Sequence, residues 1–190
     1  MYRSGNVYQE LDALAIDIYV DYGINSFPLD EKELCRKMGI LLIPYSSYEG
    51  KDLQLFKKKS KYGFCTFGSN GCTPTIFYND SVADLGSPAT IKQTIRHEIK
   101  HFACGDTDDD DEFDDLAEHF GRYLACPTAY LVAKRITDVN AIISTFDVSA
   151  TMARNIISGL TNRINRYGYR IFDYEKPLLE LFNISIKESD

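Results

Sequence analysis

Apolar residues recur at helical spacing through most of this chain and give way to short strand-like runs at three places. Its core must therefore be built mainly from helices around a small sheet. Leu11, Leu14, Ala15, Ile18 and Tyr19 predict a first helix over Val7 to Tyr22, with Gly23 as its stop. Asp30 is a natural N-cap for a second helix over Glu31 to Met38, closed by Gly39. Ile40 to Ile43 then reads as a strand ended by Pro44. Phe64 to Phe67 and Thr75 to Tyr78 read as a hairpin across the turn formers that follow Phe67. From Ser87-Pro88 the spacing of Ile91, Ile95, Ile99 and Phe102 predicts a helix that stops at Gly105. Further helices are expected from about Asp114 to Ala125, from Pro127 through Arg135, over Val139 to Phe146 and over Ser149 to Ile164. No repeat or linker interrupts the pattern. The expectation is a mainly helical α+β single domain over residues 1–190, with a small antiparallel sheet packed on the helix that follows Ser87.

Composition narrows the function. Thirteen Tyr and eleven Phe among 190 residues can supply a real core. The N-terminal segment lacks the apolar run of a signal peptide, and no stretch approaches the roughly 18 consecutive apolar residues of a spanning helix, so a cytoplasmic protein away from membranes is expected. Five cysteines (Cys35, Cys65, Cys72, Cys104, Cys126), odd in number and without a C-x-x-C pair, argue against a disulfide framework and a four-thiolate zinc site. They read as mostly buried free thiols. A net charge of -7 argues against direct binding to nucleic acid. Asp106 to Asp115 holds eight carboxylates, and Lys51 to Lys61 holds five lysines; each run reads as a solvated loop. The acidic run lacks the D-x-D-x-D-G spacing and closing glutamate of a calcium loop. It would raise the negative potential near the helix that precedes it.

That helix carries His97-Glu98-Ile99-Lys100-His101, an H-E-x-x-H motif. Residues four apart lie on one helical face, so both imidazoles can reach a single Zn²⁺ about 2.0–2.1 Å away. Glu98, beside the first histidine, is placed to accept a proton from an attacking water and deliver it to a leaving amine. The plain alternative is a helix with two hydrogen-bonded histidines, yet the chain has only three histidines and two of them fall in this motif. A catalytic zinc needs a third protein ligand. Cys104 lies seven residues beyond His97 on the same face, and Glu118, His119, Asp114 and Asp115 lie on the next predicted helix. A carboxylate from that second helix leaves the zinc a good Lewis acid.

Several segments together resemble the ImmA/IrrE family of metallo-endopeptidases: YGINSFPLDEKELCRKMGILLIPYS, then YGF and IFYND, then TIRHEIKHFACGD, and DDLAEHFGRYLACP after the acidic run. The resemblance is strongest over residues 11–164, and 165–190 would be a C-terminal extension. It implies a zincin-like fold, a zinc cofactor, and a second helix reading E-x-E-A-N-x-F-A-x-x-L-L-M-P. Anchored on Ala117, Phe120, Leu124 and Pro127, that pattern puts its first glutamate at Asp114 and its second at Leu116. The resemblance thereby implies Asp114 as third metal ligand beside His97 and His101. Aspartate reaches one methylene less than glutamate, so Asp115 stays open as the alternative. It also implies regulatory cleavage of an intracellular protein, such as the helix-turn-helix repressor of a prophage or mobile element.

Two other functions compete. A zinc-containing regulator could bind and sequester a partner without cutting it, but a structural site has no use for a general base such as Glu98 and would close with a fourth ligand. Val139 to Ile164 loosely resembles a helix-turn-helix, with Arg154, Asn155, Asn162, Arg163 and Arg166 on its second half. The acidic chain as a whole speaks against that use.

Overall fold

A computed structural model of the chain describes residues 7–68, 72–105 and 111–185, with the side chains of 111–114 outside the description. The elements run α1 (Val7–Asp21), α2 (Glu31–Met38), β1 (Leu41–Pro44), α3 (Gly50–Lys59), β2 (Gly63–Thr66), β3 (Thr75–Tyr78), α4 (Val82–Leu85), α5 (Pro88–Cys104), α6 (Asp111–Ala125), α7 (Thr128–Lys134), α8 (Val139–Phe146), α9 (Ala150–Tyr167) and α10 (Lys176–Leu181). Short 3₁₀ turns precede α3 and α10. The protein is α+β, mostly helical with one small sheet. Among the described residues no helix is long and apolar enough to cross a membrane.

The chain divides into two compact units, one of residues 30–121 and one that combines 1–29 with 122–190. In the contiguous unit the hairpin is antiparallel as the sequence predicts, with Gly63 opposite Tyr78 and Thr66 opposite Thr75. The sheet as a whole is not antiparallel: β1 runs parallel to β3, Leu41 opposite Thr75 and Pro44 opposite Tyr78, in the order β1-β3-β2. Parallel neighbours need a crossover between them, and here the chain through α3 and β2 supplies it. The lysine-rich segment read as a loop is the helix α3. Its Phe56 lies 5.7 Å from Tyr45, 4.5 Å from Tyr48 and 5.2 Å from Phe77, ring centre to ring centre, so one aromatic side chain ties the lysine helix to the sheet.

In the unit built from both ends of the sequence, α1 buries Leu11, Ala15, Ile16, Ile18 and Tyr19. The Tyr19 hydroxyl donates to the Leu124 carbonyl at 2.6 Å. Phe27 is the hub of an aromatic cluster, 4.9 Å from Tyr130, 4.5 Å from Phe146 and 4.8 Å from Phe182. Leu131, Val132, Ile142, Phe146, Val148, Ala153 and Leu160 form one core shared by α7, α8 and α9. None of the five cysteines forms a disulfide, and only Cys35 and Cys126 are buried; Cys65 and Cys104 are half-buried and Cys72 is exposed.

Candidate functional site

The site is built on α5, whose ends are fixed by its own sequence. Ser87 caps the start by accepting from the Thr90 amide, Pro88 follows in the first turn, and Gly105 ends the helix at φ 68°. Ile95 and Ile99 are buried and anchor the helix in its unit. One turn apart on the same helix, the rings of His97 and His101 are 5.2 Å between centres. His101 and Glu98 are 6% and 7% exposed, and the His97 side chain is 18% exposed.

Arg96, the residue before His97, is turned away into the interior. Its Nε donates to Glu31 Oε1 at 2.8 Å and its Nη2 donates to the same oxygen. Both partners are almost sealed from water. A buried pair of this kind contributes little net stability, but losing one partner strands a charge and costs about 3–5 kcal/mol. Because Glu31 opens α2, the pair locks the rotation of α5 about its axis. That rotation decides which residues face outward.

His97, Glu98 and His101 all line one cavity of about 990 Å³. Its facing wall is β2 with the residues just before it, including Lys59, Gly63, Phe64 and Cys65. The approach is close. A Cβ on Gly63 would stand 2.8 Å from Thr94 Cγ2 and 2.9 Å from the Phe77 carbonyl oxygen, so only glycine lets the strand lie this near the helix. As an outer strand of the sheet, β2 pairs with β3 on one side only among the described residues. Lys59 Nζ sits 4.1 Å above the Phe64 ring, which places a positive charge on the cavity wall. Burial, and after it the negative charge of Glu98, pushes the Tyr45 hydroxyl up to about 12.

The helix α6 brings one carboxylate to this cavity. Glu118 Oε2 accepts from Gln93 Nε2 at 3.0 Å, and Oε1 lies 3.8 Å from His97 Nδ1. The second distance exceeds a hydrogen bond but suits an electrostatic contact. Gly121 makes room for it: a Cβ there would meet Gln93 Nε2 at 2.8 Å. Glu118 is only one of several candidates by sequence, because what distinguishes it is how α6 lies against α5. Position 114 is one turn before Glu118 on the same helical face, and its side chain lies outside the described residues. Asp115 is exposed, and neither it nor His119 nor Cys104 is among the described residues that line the cavity. The acidic segment 106–110 also lies outside the described residues, and 111 and 112 open α6.

Two imidazoles one turn apart, opening into a shared cavity with a carboxylate nearby, form a donor set that suits zinc. Among the described residues no group of three His, Cys, Asp or Glu side chains assembles a metal site. Of the sequence-predicted ligands, His97 and His101 lie together on this cavity, whereas the Asp114 side chain lies outside the described residues. No protein-family model, curated protein or solved structure matches this chain.

Proposed function

We propose that this protein is a cytoplasmic zinc-dependent endopeptidase that cleaves an intracellular regulatory protein. The observation that carries the reading is the convergence of His97, Glu98 and His101 on one cavity whose opposite wall is the outer strand β2. His97 and His101 would hold the zinc, with Asp114 as third ligand and Asp115 as the alternative. When bound, zinc supplies a Lewis acid that acidifies a water and polarises the scissile carbonyl.

The remaining work falls to the chain itself. Substrate in extended form adds as a further strand to β2, the outer strand of the sheet among the described residues, which lies beside α5. Glu98, buried next to His97, takes a proton from the attacking water and returns it to the leaving amine. Because Glu98 is largely withdrawn from solvent, its proton passes to the reacting groups in place of bulk water. The type of substrate, a helix-turn-helix repressor encoded with the peptidase, rests on the ImmA/IrrE resemblance.

Glu98→Gln is the test. The amide keeps the shape and loses the base, so zinc content, fold and partner binding should persist while cleavage falls by about 10²–10⁴. Wild-type turnover in that variant would remove Glu98 from the chemistry. A wild-type protein that holds zinc and binds its partner without cutting it would be a sequestering regulator. Elemental analysis after His97→Ala, His101→Ala, Asp114→Ala and Asp115→Ala assigns the ligands: the first three should lose zinc and the fourth keep it.

A further inference from the structure

The acidic net charge is not evenly spread. Between His119 and Phe172 the chain carries seven Lys and Arg against two Asp, so the excess of carboxylates lies elsewhere. The two exceptions flank α8: Asp138 caps its start by accepting from the Ala141 amide, and Asp147 ends it in a left-handed conformation. From Ser149 to Phe172, the stretch that contains α9, there is no Asp or Glu at all. Such a basic region within an acidic chain is the electrostatic footprint of a polyanion partner.

The local architecture gives that charge a shape. The eight-residue α8, a turn of Asp147, Val148 and Ser149, and the 18-residue α9 pack with α7 on a common core, with Val148 buried inside the turn. The order of a short helix, a three-residue turn and a longer helix is that of a helix-turn-helix motif, in which the second helix enters the major groove and its N-terminal residues meet base edges. Ala153 and Leu160 face the core, which leaves Thr151, Arg154, Asn155, Ser158, Asn162 and Arg166 exposed. Arg154 lies in the first turns of α9 and Arg166 near its end. A Cβ built on Gly159, in the middle of the exposed face, meets nothing within 4 Å, so nothing in the unit covers it. Arginine reads guanine and asparagine reads adenine through paired hydrogen bonds, while serine and threonine reach phosphates.

The nearest carboxylates on the C-terminal side are already engaged. Arg163 holds Glu175 at 2.5 and 2.8 Å, and Asp173 pairs with Lys176 at 2.8 Å. We propose that the exposed face of α9 docks in the major groove of duplex DNA. All the residues involved lie in the unit that does not contain His97 and Glu98.

Fluorescence anisotropy of the whole protein tests this against a labelled duplex of two helical turns, about 21 base pairs. Wild-type protein should bind with a Kd of about 10⁻⁵ M or tighter at about 50 mM salt and weaken steeply toward 200 mM, as counterion release requires. Weaker binding than that, or tighter binding to single-stranded RNA of the same length than to the duplex, overturns the proposal. R154E and R166E should each lose at least about tenfold more affinity than R36E, which makes the same change of charge on an exposed side chain of the other unit. A smaller difference means the surface is not α9. R154Q, which keeps length and polarity, should retain the native circular dichroism and lower the salt slope by about one; an unchanged slope overturns the contact.

Discussion

Two long helices, α5 in one unit and α9 in the other, are fastened alike and expose opposite things. In each, an arginine in the helix reaches a glutamate that lies at the start of a short helix: Arg96 to Glu31 at the head of α2, and Arg163 to Glu175 just before α10. A carboxylate is well placed at a helix N-terminus, where the backbone amides favour negative charge. The first pair is the more sealed, with side chains 2% and 6% exposed, whereas the Arg163 side chain is 12% exposed. Burial works against the charge of Arg163, and the hydrogen bonds of Glu175 overcome it. The pairs teach that an ion pair on one side of a helix settles what the other side presents. On α5 that is a few titratable groups in a cavity; on α9 it is an open polar face.

The largest expected effect comes from breaking either clamp. Glu31→Gln should destabilise the protein by about 3–5 kcal/mol in urea unfolding, because Arg96 would be left charged and buried. Glu175→Gln should cost less, since Arg163 keeps some solvent and its bond to the Arg170 carbonyl. If the order reverses, sealing is not what sets the cost.

Two glycines, Gly63 facing α5 and Gly159 within α9, sharpen the contrast, because the same substitution should act with opposite sign. Gly63→Ala forces a methyl against Thr94 and the Phe77 carbonyl and should cost about 1–3 kcal/mol. Gly159→Ala fills open space on a helix and should stabilise by about 0.5–1 kcal/mol. Equal signs in thermal unfolding would mean that β2 does not press on α5.

The N-caps should behave alike. Ser87 accepts from the Thr90 amide and Ser149 from the Met152 amide, so each Ser→Ala change should cost about 1 kcal/mol. A difference much larger than this would show that one helix start carries more than its cap.

The smallest expected effect is alkaline, and on the α5 side it falls on Tyr45. The Tyr45 phenol ionises near 12 in the folded protein, above its unfolded value of about 10. The sign follows: its contribution to stability is complete below about pH 10 and is lost as pH rises through the folded value. Melting temperatures between about pH 9 and 12 should fall less steeply for Tyr45→Phe than for the wild type.

Much of this was legible because it is local. Caps at Asp30, Ser87 and Ser149, stops at Gly39 and Gly105, and the limits of α8 follow from residues within a few positions of one another. What escaped depends on distant partners. Nothing near Leu41 announces that it will run parallel to β3, since that pairing joins residues far apart in sequence. Four lysines hid α3, whose helical state rests on Phe56 finding the sheet. The H-E-x-x-H spacing names two imidazoles and a carboxylate by itself, but the position of Glu118 beside His97 needs the packing of α6 on α5.

The split of the chain into one contiguous unit and one made from both ends bears on how the protein is born. Residues 30–121 leave the ribosome as a continuous block, so the unit with His97 and Glu98 has all its parts early. Helix α1 is synthesised well before its partners, because Tyr19 must wait for Leu124, 105 residues later, and then for Phe182. At about 5–20 residues per second that is a delay of roughly 5–20 seconds, during which Leu11, Ile16 and Ile18 have no partners to bury against. A helix that leaves the ribosome this far ahead of its partners is thus the one most in need of a chaperone's shelter.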